Sequence, residues 1–220
     1  MITKTRVSIP LISIARLRME VDGDGVTTLV AAKGCPLSCK YCINAKVLVD
    51  SQPSRPVTPE ELIEMVKIDD LYFQATGGGI VFGGGESLLH ADFIADFAKK
   101  KPEGWKLTAE TCLNVPEENL RKVLPFLDYY IVDIKDMNPD IYRAYTGKDN
   151  EAVLRNLKIL ADNVPQSNVK VRIPAIPGFN GEEDGRKSIE QVRAIGPDFR
   201  IEVFSYIVRA EEKQEKKEAT

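Results

Sequence analysis

Cys35, Cys39 and Cys42 stand in a C-x3-C-x2-C spacing inside Gly34–Asn44, GCPLSCKYCIN, so three of the chain's four cysteines fall on one short stretch. Thiolates crowded together repel one another and oxidise readily, and a soft metal is what ordinarily holds such a group. Ligand counting narrows the metal. A structural zinc site takes four Cys or His ligands, usually as separated pairs, and here there is neither a second pair nor a nearby histidine. A cubane 4Fe-4S cluster fits better, because three thiolates would leave one iron without a protein ligand and open to chemistry. The bland alternative is three buried or disulfide-forming cysteines.

Other residues carry chemistry at the ends of expected strands. Gly83-Gly84-Gly85-Glu86-Ser87 follows one strand directly. Glycines there let the backbone approach a ligand closely, and the carboxylate of Glu86 suits an ammonium group. Asp133 and Lys135, in YYIVDIKDM, have the parity to share one face, where they make either a binding pair or an internal ion pair. Glu110 and Thr111 are weaker candidates of the same kind. Arg172 has apolar neighbours and needs an acid, either a ligand carboxylate or a protein one such as Glu202. The fourth thiol, Cys112, reads as a small buried hydrophobe. His90 reads as a helix-start surface or packing residue.

Those residues need a scaffold of alternating strands and helices. Leu11–Val21 largely alternates apolar and polar residues up to the Asp22-Gly23-Asp24-Gly25 turn, and Val26–Ala32 is a more continuously apolar strand that leads into the cysteines. A Pro-rich connector with Pro53 and Pro56 follows. Thr58-Pro59-Glu60-Glu61 is an N-cap, a first-position proline and an acidic first turn, predicting a helix over Pro59–Ile68. Further strands are expected over Gly79–Phe82, Lys106–Thr111, Tyr129–Ile134, Val169–Pro174 and Arg200–Tyr206. Helices are expected over Ala91–Lys101, Pro116–Leu124, Pro139–Tyr145, Glu151–Asp162 and Glu183–Ile195. From Val26 onward this α/β pattern gives six strands alternating with helices, hence parallel pairing with right-handed crossovers. An open doubly wound sheet and a curved partial barrel both satisfy it.

The cysteine spacing, with Tyr41 just before the last cysteine, resembles the signature of the radical S-adenosylmethionine (SAM) superfamily. The resemblance implies a partial (βα)6 barrel, one 4Fe-4S cluster on Cys35, Cys39 and Cys42, and SAM on the open iron. It also implies SAM contacts from Tyr41, from Gly84, Gly85 and Glu86 in the place of the family's GGE motif, and from Asp133, Lys135 and Arg172. VDGDG at Val21–Gly25, TGGGIVFGGGESLL, VDIKDMNPDIYRAYTG, VRIPAIPGFN and IEVFSY are similar to segments of the pyruvate formate-lyase activating enzyme group. Those enzymes take a hydrogen from a glycine of a partner glycyl-radical enzyme. The implied partners are such an enzyme or a peptide, with flavodoxin or ferredoxin as electron donor. Asp22, on the loop next to the cysteine loop, is expected to hold a substrate backbone. The chain departs from the group at Asp24, where a proline is usual, and at Ile207, where a histidine is. An alternative is a radical SAM reaction on a small molecule, such as a deazapurine-type ring contraction; a non-catalytic iron-sulfur protein would instead show four protein ligands and no SAM binding.

Composition bounds the rest. The 220 residues suit one domain over 1–210, with an N-terminal strand extension and a charged tail over 211–220. Acidic and basic residues, 33 and 30, are intermingled with no basic stripe, which argues against nucleic acid. A single histidine leaves little for triads. No apolar run is long enough to span a bilayer, and Met1–Arg16 lacks a signal-peptide pattern, so the cytoplasm is the expected compartment.

Overall fold

Alternation carries the first strand, β1 (Ile9–Met19), and apolar continuity the second, β2 (Val26–Ala32). The computed structural model describes residues 7–49 and 53–206, so Ile207 and the charged tail lie outside the described residues. After a one-turn helix, α1 (Ala45–Leu48), come β3 (Arg55–Val57), α2 (Pro59–Val66) and α3 (Asp70–Thr76). The chain then runs β4 (Gly79–Gly84), α4 (Ala91–Lys100), β5 (Lys106–Thr111), α5 (Glu117–Val123), β6 (Tyr129–Asp133), α6 (Pro139–Thr146), α7 (Glu151–Asn163), β7 (Val169–Ala175), α8 (Glu182–Ile195) and β8 (Arg200–Ser205).

The strands form one open eight-stranded sheet in the order β3-β1-β2-β4-β5-β6-β7-β8. β2 and β4 to β8 are the six expected parallel strands, each paired with the next. β1 extends the sheet antiparallel to β2 and is edged by β3.

Period-two alternation gives each parallel strand two different faces. Val30, Ile80, Phe82, Leu107, Ala109, Tyr130, Val132, Val171 and Ile173 face the helices and join Leu62, Phe93, Phe97, Leu120, Leu157 and Leu160 in one core. The intervening residues include Thr27, Thr108, Glu110, Asp133 and Arg172. They line the inner side together with apolar Leu29, Ala31, Val81 and Ile131, so the main apolar core sits between sheet and helices and the interior mixes polar and apolar groups.

The main departures from expectation lie between the cysteines and β4. The Pro-rich connector contains β3, which pairs Val57 with Ile9 and Arg55 with Leu11. The predicted N-cap is present, and Thr58 and Glu61 close it as a capping box by satisfying each other's backbone N–H. The helix stops at Val66, however, and a 3-10 turn over Lys67–Asp69 leads into α3, which ends at left-handed Gly77. Long-range polar bonds explain that break. Asp69 turns inward to accept from Arg16 Nε at 2.9 Å and Thr28 Oγ1 at 2.8 Å, and Asp70 accepts from Trp105 Nε1 at 2.6 Å. None of these partners is visible to local periodicity.

Asp69 thereby clamps β1 and β2 to the helical layer. Burial alone would raise its carboxyl, but the bonds from Arg16 and Thr28 outweigh burial and hold it below its ordinary value. The stability it contributes is full above the unfolded value of about 3.9 and disappears as pH falls through the lower folded value. Asp69→Ala is expected to lower the free energy of urea unfolding at pH 7 by about 2 kcal/mol, less than for a fully buried pair because Arg16 is half-exposed. The gap between the two chains should narrow below about pH 4. Equal stability at pH 7 would show that the clamp contributes nothing.

Candidate active site at the barrel mouth

The cysteine loop lies across the C-terminal ends of the strands, held there by backbone contacts with several elements. Ser38 N and Lys40 N donate to the carbonyls of Thr146 (2.9 Å) and Tyr145 (3.1 Å) at the end of α6, and Asn44 Nδ2 donates to the Gly84 carbonyl at 2.6 Å. Tyr41 is buried, with its ring 6.1 Å from Tyr145, 5.8 Å from Phe179 and 5.9 Å from Tyr206, and its hydroxyl donates to the Pro177 carbonyl at 3.3 Å. The aromatic before the last cysteine therefore anchors the loop against α6 and the turn after β7.

The glycine motif joins this loop to β4. Gly85 N donates to the Ala32 carbonyl at 3.0 Å and Glu86 N to the Gly34 carbonyl at 2.7 Å. A Cβ on Gly85 would lie 2.0 Å from the Gly34 oxygen, and Gly84 has φ +95° with Ala31 against it. Both glycines are demanded by this close approach of two backbones, one of them in a conformation that L side chains rarely adopt.

Glu86 is fully buried. Its Oε1 accepts from Leu88 N at 2.9 Å and Thr111 Oγ1 at 2.7 Å, and its Oε2 accepts from Cys112 N at 2.7 Å. Burial pushes its carboxyl above the ordinary value. Both oxygens are thus committed to protein donors, and the side chain braces the ends of β4 and β5. Beyond β5, Leu113 adopts φ +56°, with its N–H on Thr111 Oγ1 and its carbonyl on Asn156 Nδ2, both at 2.9 Å.

A charged network fills the interior between these ends. Arg172 donates from Nε to Asp133 at 2.8 Å and from Nη2 to Glu110 at 2.9 Å, and Lys135 lies 3.4 Å from Asp133. Glu202 is not the partner of Arg172; half-exposed on the edge strand, it pairs with Lys170 at 3.5 Å. Burial opposes every charge here. Lys135 and Arg172 overcome it to hold Asp133 low, and Asp133 keeps the pKa of Lys135 high. Burial keeps Glu110 raised despite Arg172, with Asp133 and Asp22 adding to the effect. Asp133, Lys135 and Arg172 are thus brought together as expected, and Glu110 belongs with them.

Asp22 sits elsewhere than its sequence neighbourhood implied. The seven-residue strand β2 separates it from the cysteines, roughly 20 Å of extended chain. It is buried and ion-paired with Arg18, whose Nη2 donates at 2.9 Å. The turn that carries it nevertheless lies against the inner face, where a Cβ on Gly23 would meet Thr108 Oγ1 at 3.8 Å. A cavity of about 290 Å³ opens beside this turn, lined by Gly23, Asp24, Gly25, Tyr129, Lys170 and Arg200, at the N-terminal mouth of the strands. His90 is the helix-start packing residue expected, with Nε2 2.6 Å from the Lys33 carbonyl.

None of the four cysteines is in a disulfide. Cys35 is exposed and its thiol pKa is lowered from the ordinary value, chiefly by the neighbouring Cys112 side chain, whereas burial pushes Cys39 up to about 11. Cys112 is buried as expected, and its N–H is committed to Glu86 Oε2 at 2.7 Å. Among the described residues, no three His, Cys, Asp or Glu side chains are gathered as a ready-made metal group. The donor set itself, three thiols on one anchored loop beside a polar interior, has the chemistry a three-thiolate cluster requires.

Six parallel strands, a cysteine loop at their C-terminal ends and a charged interior below it define a partial-barrel enzyme of the metal-and-cofactor type. Residues 29–186 match the model of the Radical SAM superfamily, and the chain belongs to that superfamily. It is 27% identical to the isethionate sulfite-lyase activating enzyme of Desulfovibrio desulfuricans, over 84% of this chain and 79% of that one. It is 31% identical to the pyruvate formate-lyase 1-activating enzyme of Escherichia coli, over 84% and 76%. Among solved structures, a domain of the pyruvate-formate lyase-activating enzyme of Bacteroides vulgatus aligns with TM-score 0.50 and 26% identity, over 63% of this chain and 89% of that one. SuiB of Streptococcus suis bound to S-adenosylmethionine shares the fold, with TM-score 0.61 at 13% identity over 80% and 39%.

The junction makes a sharp demand on its members. Glu86→Gln must set an NH2 group against a backbone N–H or the Thr111 hydroxyl, and is expected to cost about 1–3 kcal/mol in unfolding free energy. Gly85→Ala must push the Gly34 carbonyl away, and is expected to reduce iron uptake on anaerobic reconstitution several-fold while the far-ultraviolet dichroism stays that of the parent. Wild-type iron uptake in Gly85→Ala would show that the glycine does not position the cysteine loop.

Proposed function

We propose that this protein is a radical SAM activating enzyme, acting on a glycine C–H bond of a partner glycyl-radical enzyme. The single observation that carries the reading is the joining of the cysteine loop to the glycine motif, with Glu86 N on the Gly34 carbonyl, directly above the Glu110–Arg172–Asp133–Lys135 network. The family's cofactors are an iron-sulfur cluster and SAM, which together supply an electron and a 5'-deoxyadenosyl radical. Cys35, Cys39 and Cys42 would hold the cluster.

The remaining work belongs to the chain. Tyr41 fixes the loop, and Glu86 fixes the ends of β4 and β5. Gly84 and Gly85 bring main chain close to the space where SAM would lie. Lys135 and Arg172 offer cations to a carboxylate, while Glu110 and Asp133 offer acceptors to an ammonium or hydroxyl. The inner face of β2, with Leu29 and Ala31, is apolar and excludes water from a reactive radical. Asp22, held by Arg18, is the group that would meet a substrate backbone. An electron donor such as flavodoxin or ferredoxin, and a cytoplasmic location, complete the proposal. Among the described residues no helix is long and apolar enough to cross a membrane.

Anaerobic reconstitution with iron and sulfide, then dithionite reduction, tests this directly. The expected result is an electron paramagnetic resonance signal that changes on adding SAM, with 5'-deoxyadenosine formed in the same tube. Cys39→Ala should lose both. A signal indifferent to SAM, with no cleavage in the wild type, would sink the reading. Lys135→Ala is expected to keep the cluster signal but weaken its response to SAM at least tenfold, as loss of a buried charge-assisted contact requires.

A further inference from the structure

We propose that Asn180 is a positioning residue, whose side-chain amide locks the turn after β7 to the end of β6 and thereby fixes the Tyr41 side of the cysteine loop relative to Lys135. The amide is fully used. Its Oδ1 accepts from Ile176 N at 2.5 Å, and its Nδ2 donates to the Pro174 carbonyl and to Asp136 Oδ2, both at 3.0 Å. A backbone N–H can only donate and a backbone carbonyl can only accept, so these two partners decide which end of the amide faces which. Asp136 is then the acceptor for the second Nδ2 hydrogen.

Asp136 is buried, follows Lys135 directly, and accepts from Asn138 N at 2.8 Å with its other oxygen. Asn180 therefore reaches from the strand end that carries Lys135 to the backbone on both sides of Ala175. The turn it closes grips Tyr41. Ile176 packs with Tyr41 and Tyr145 in one small buried cluster that Cys39 and Phe179 also join, and the Pro177 carbonyl takes the Tyr41 hydroxyl at 3.3 Å. Phe179 N and Asn180 N donate to the Ile176 carbonyl at 3.0 and 3.2 Å, and left-handed Gly178, at φ +80°, completes the turn. Loosening the amide releases the wall against which Tyr41 rests, and Tyr41 lies between Cys39 and Cys42. The consequence for catalysis rests on the proposed function, in which the loop holds the cluster and Lys135 meets SAM; the lock itself does not.

Hydrogen exchange of the metal-free full chain, read by mass spectrometry, tests the lock. In Asn180→Ala, segments 34–44 and 174–180 should exchange about tenfold faster than in wild type or more, while β4 and β5 keep their rates. Unchanged exchange in 34–44, or equally faster exchange across the whole sheet, would overturn the proposal. Asn180→Asp asks whether the donor matters. Ionised, it sets a carboxylate against Asp136 and the Pro174 carbonyl; protonated, it regains one donor. Asp136 and, on α8, Asp184, whose charge reaches Asp136, are the acids at this point, and both favour protonation of the new carboxyl. Protection of 34–44, taken relative to wild type at the same pH, should recover as pH falls from about 7.5 to about 5 in Asn180→Asp and not in Asn180→Ala. Identical behaviour of the two variants would refute the role of the amide. After anaerobic reconstitution, Asn180→Ala should keep the reduced-cluster signal but need about tenfold more SAM to change it. An unchanged SAM dependence beside a responsive wild type would overturn the link to Lys135. A wild type whose signal ignores SAM defeats the functional reading, while the exchange rates still decide the lock.

Discussion

The close approach of two backbones, Gly34 at the end of β2 and Gly85-Glu86 at the end of β4, is the constraint on which the candidate site depends. A Cβ on Gly85 would sit 2.0 Å from the Gly34 oxygen, so no other residue fits without displacing one chain. Glu86 follows from that contact. Once its N–H is on Gly34, its carboxylate is buried beside the end of β5 and must find donors there, and Thr111 and Cys112 supply them. One junction therefore sets the height of the cysteine loop, the end of β5 and the position of the fourth thiol. An unsatisfied carboxylate at that depth would cost several kcal/mol, which makes the arrangement close to all-or-none.

The barrel interior works by a different principle. Its charges are nearly balanced, with Asp22, Glu110 and Asp133 against Arg18, Lys135 and Arg172, and each is stable there only through its neighbours. A substrate or cofactor entering such a network exchanges partners with it instead of creating charge pairs from nothing. Groups already desolvated and oriented give up little freedom on binding, which favours ionic recognition in a water-poor site.

Much of the fold was legible because parallel strands buried on one face and helices with apolar stripes leave strong local patterns. All six parallel strands and the helices from Ala91 onward lie within a few residues of their expected bounds. What was illegible depends on distant partners. The β3 strand is only three residues and takes its hydrogen bonds from β1, and the break between α2 and α3 answers to Arg16, Thr28 and Trp105. In the site, Asp133 and Lys135 were readable from strand parity, and Arg172 from its need of an acid among apolar neighbours. Glu110 as the second partner of Arg172 was not, because it depends on the register across β5, β6 and β7. The place of Cys112 was hidden for the same reason, since its N–H meets Glu86, on a different strand end that only sheet order brings near.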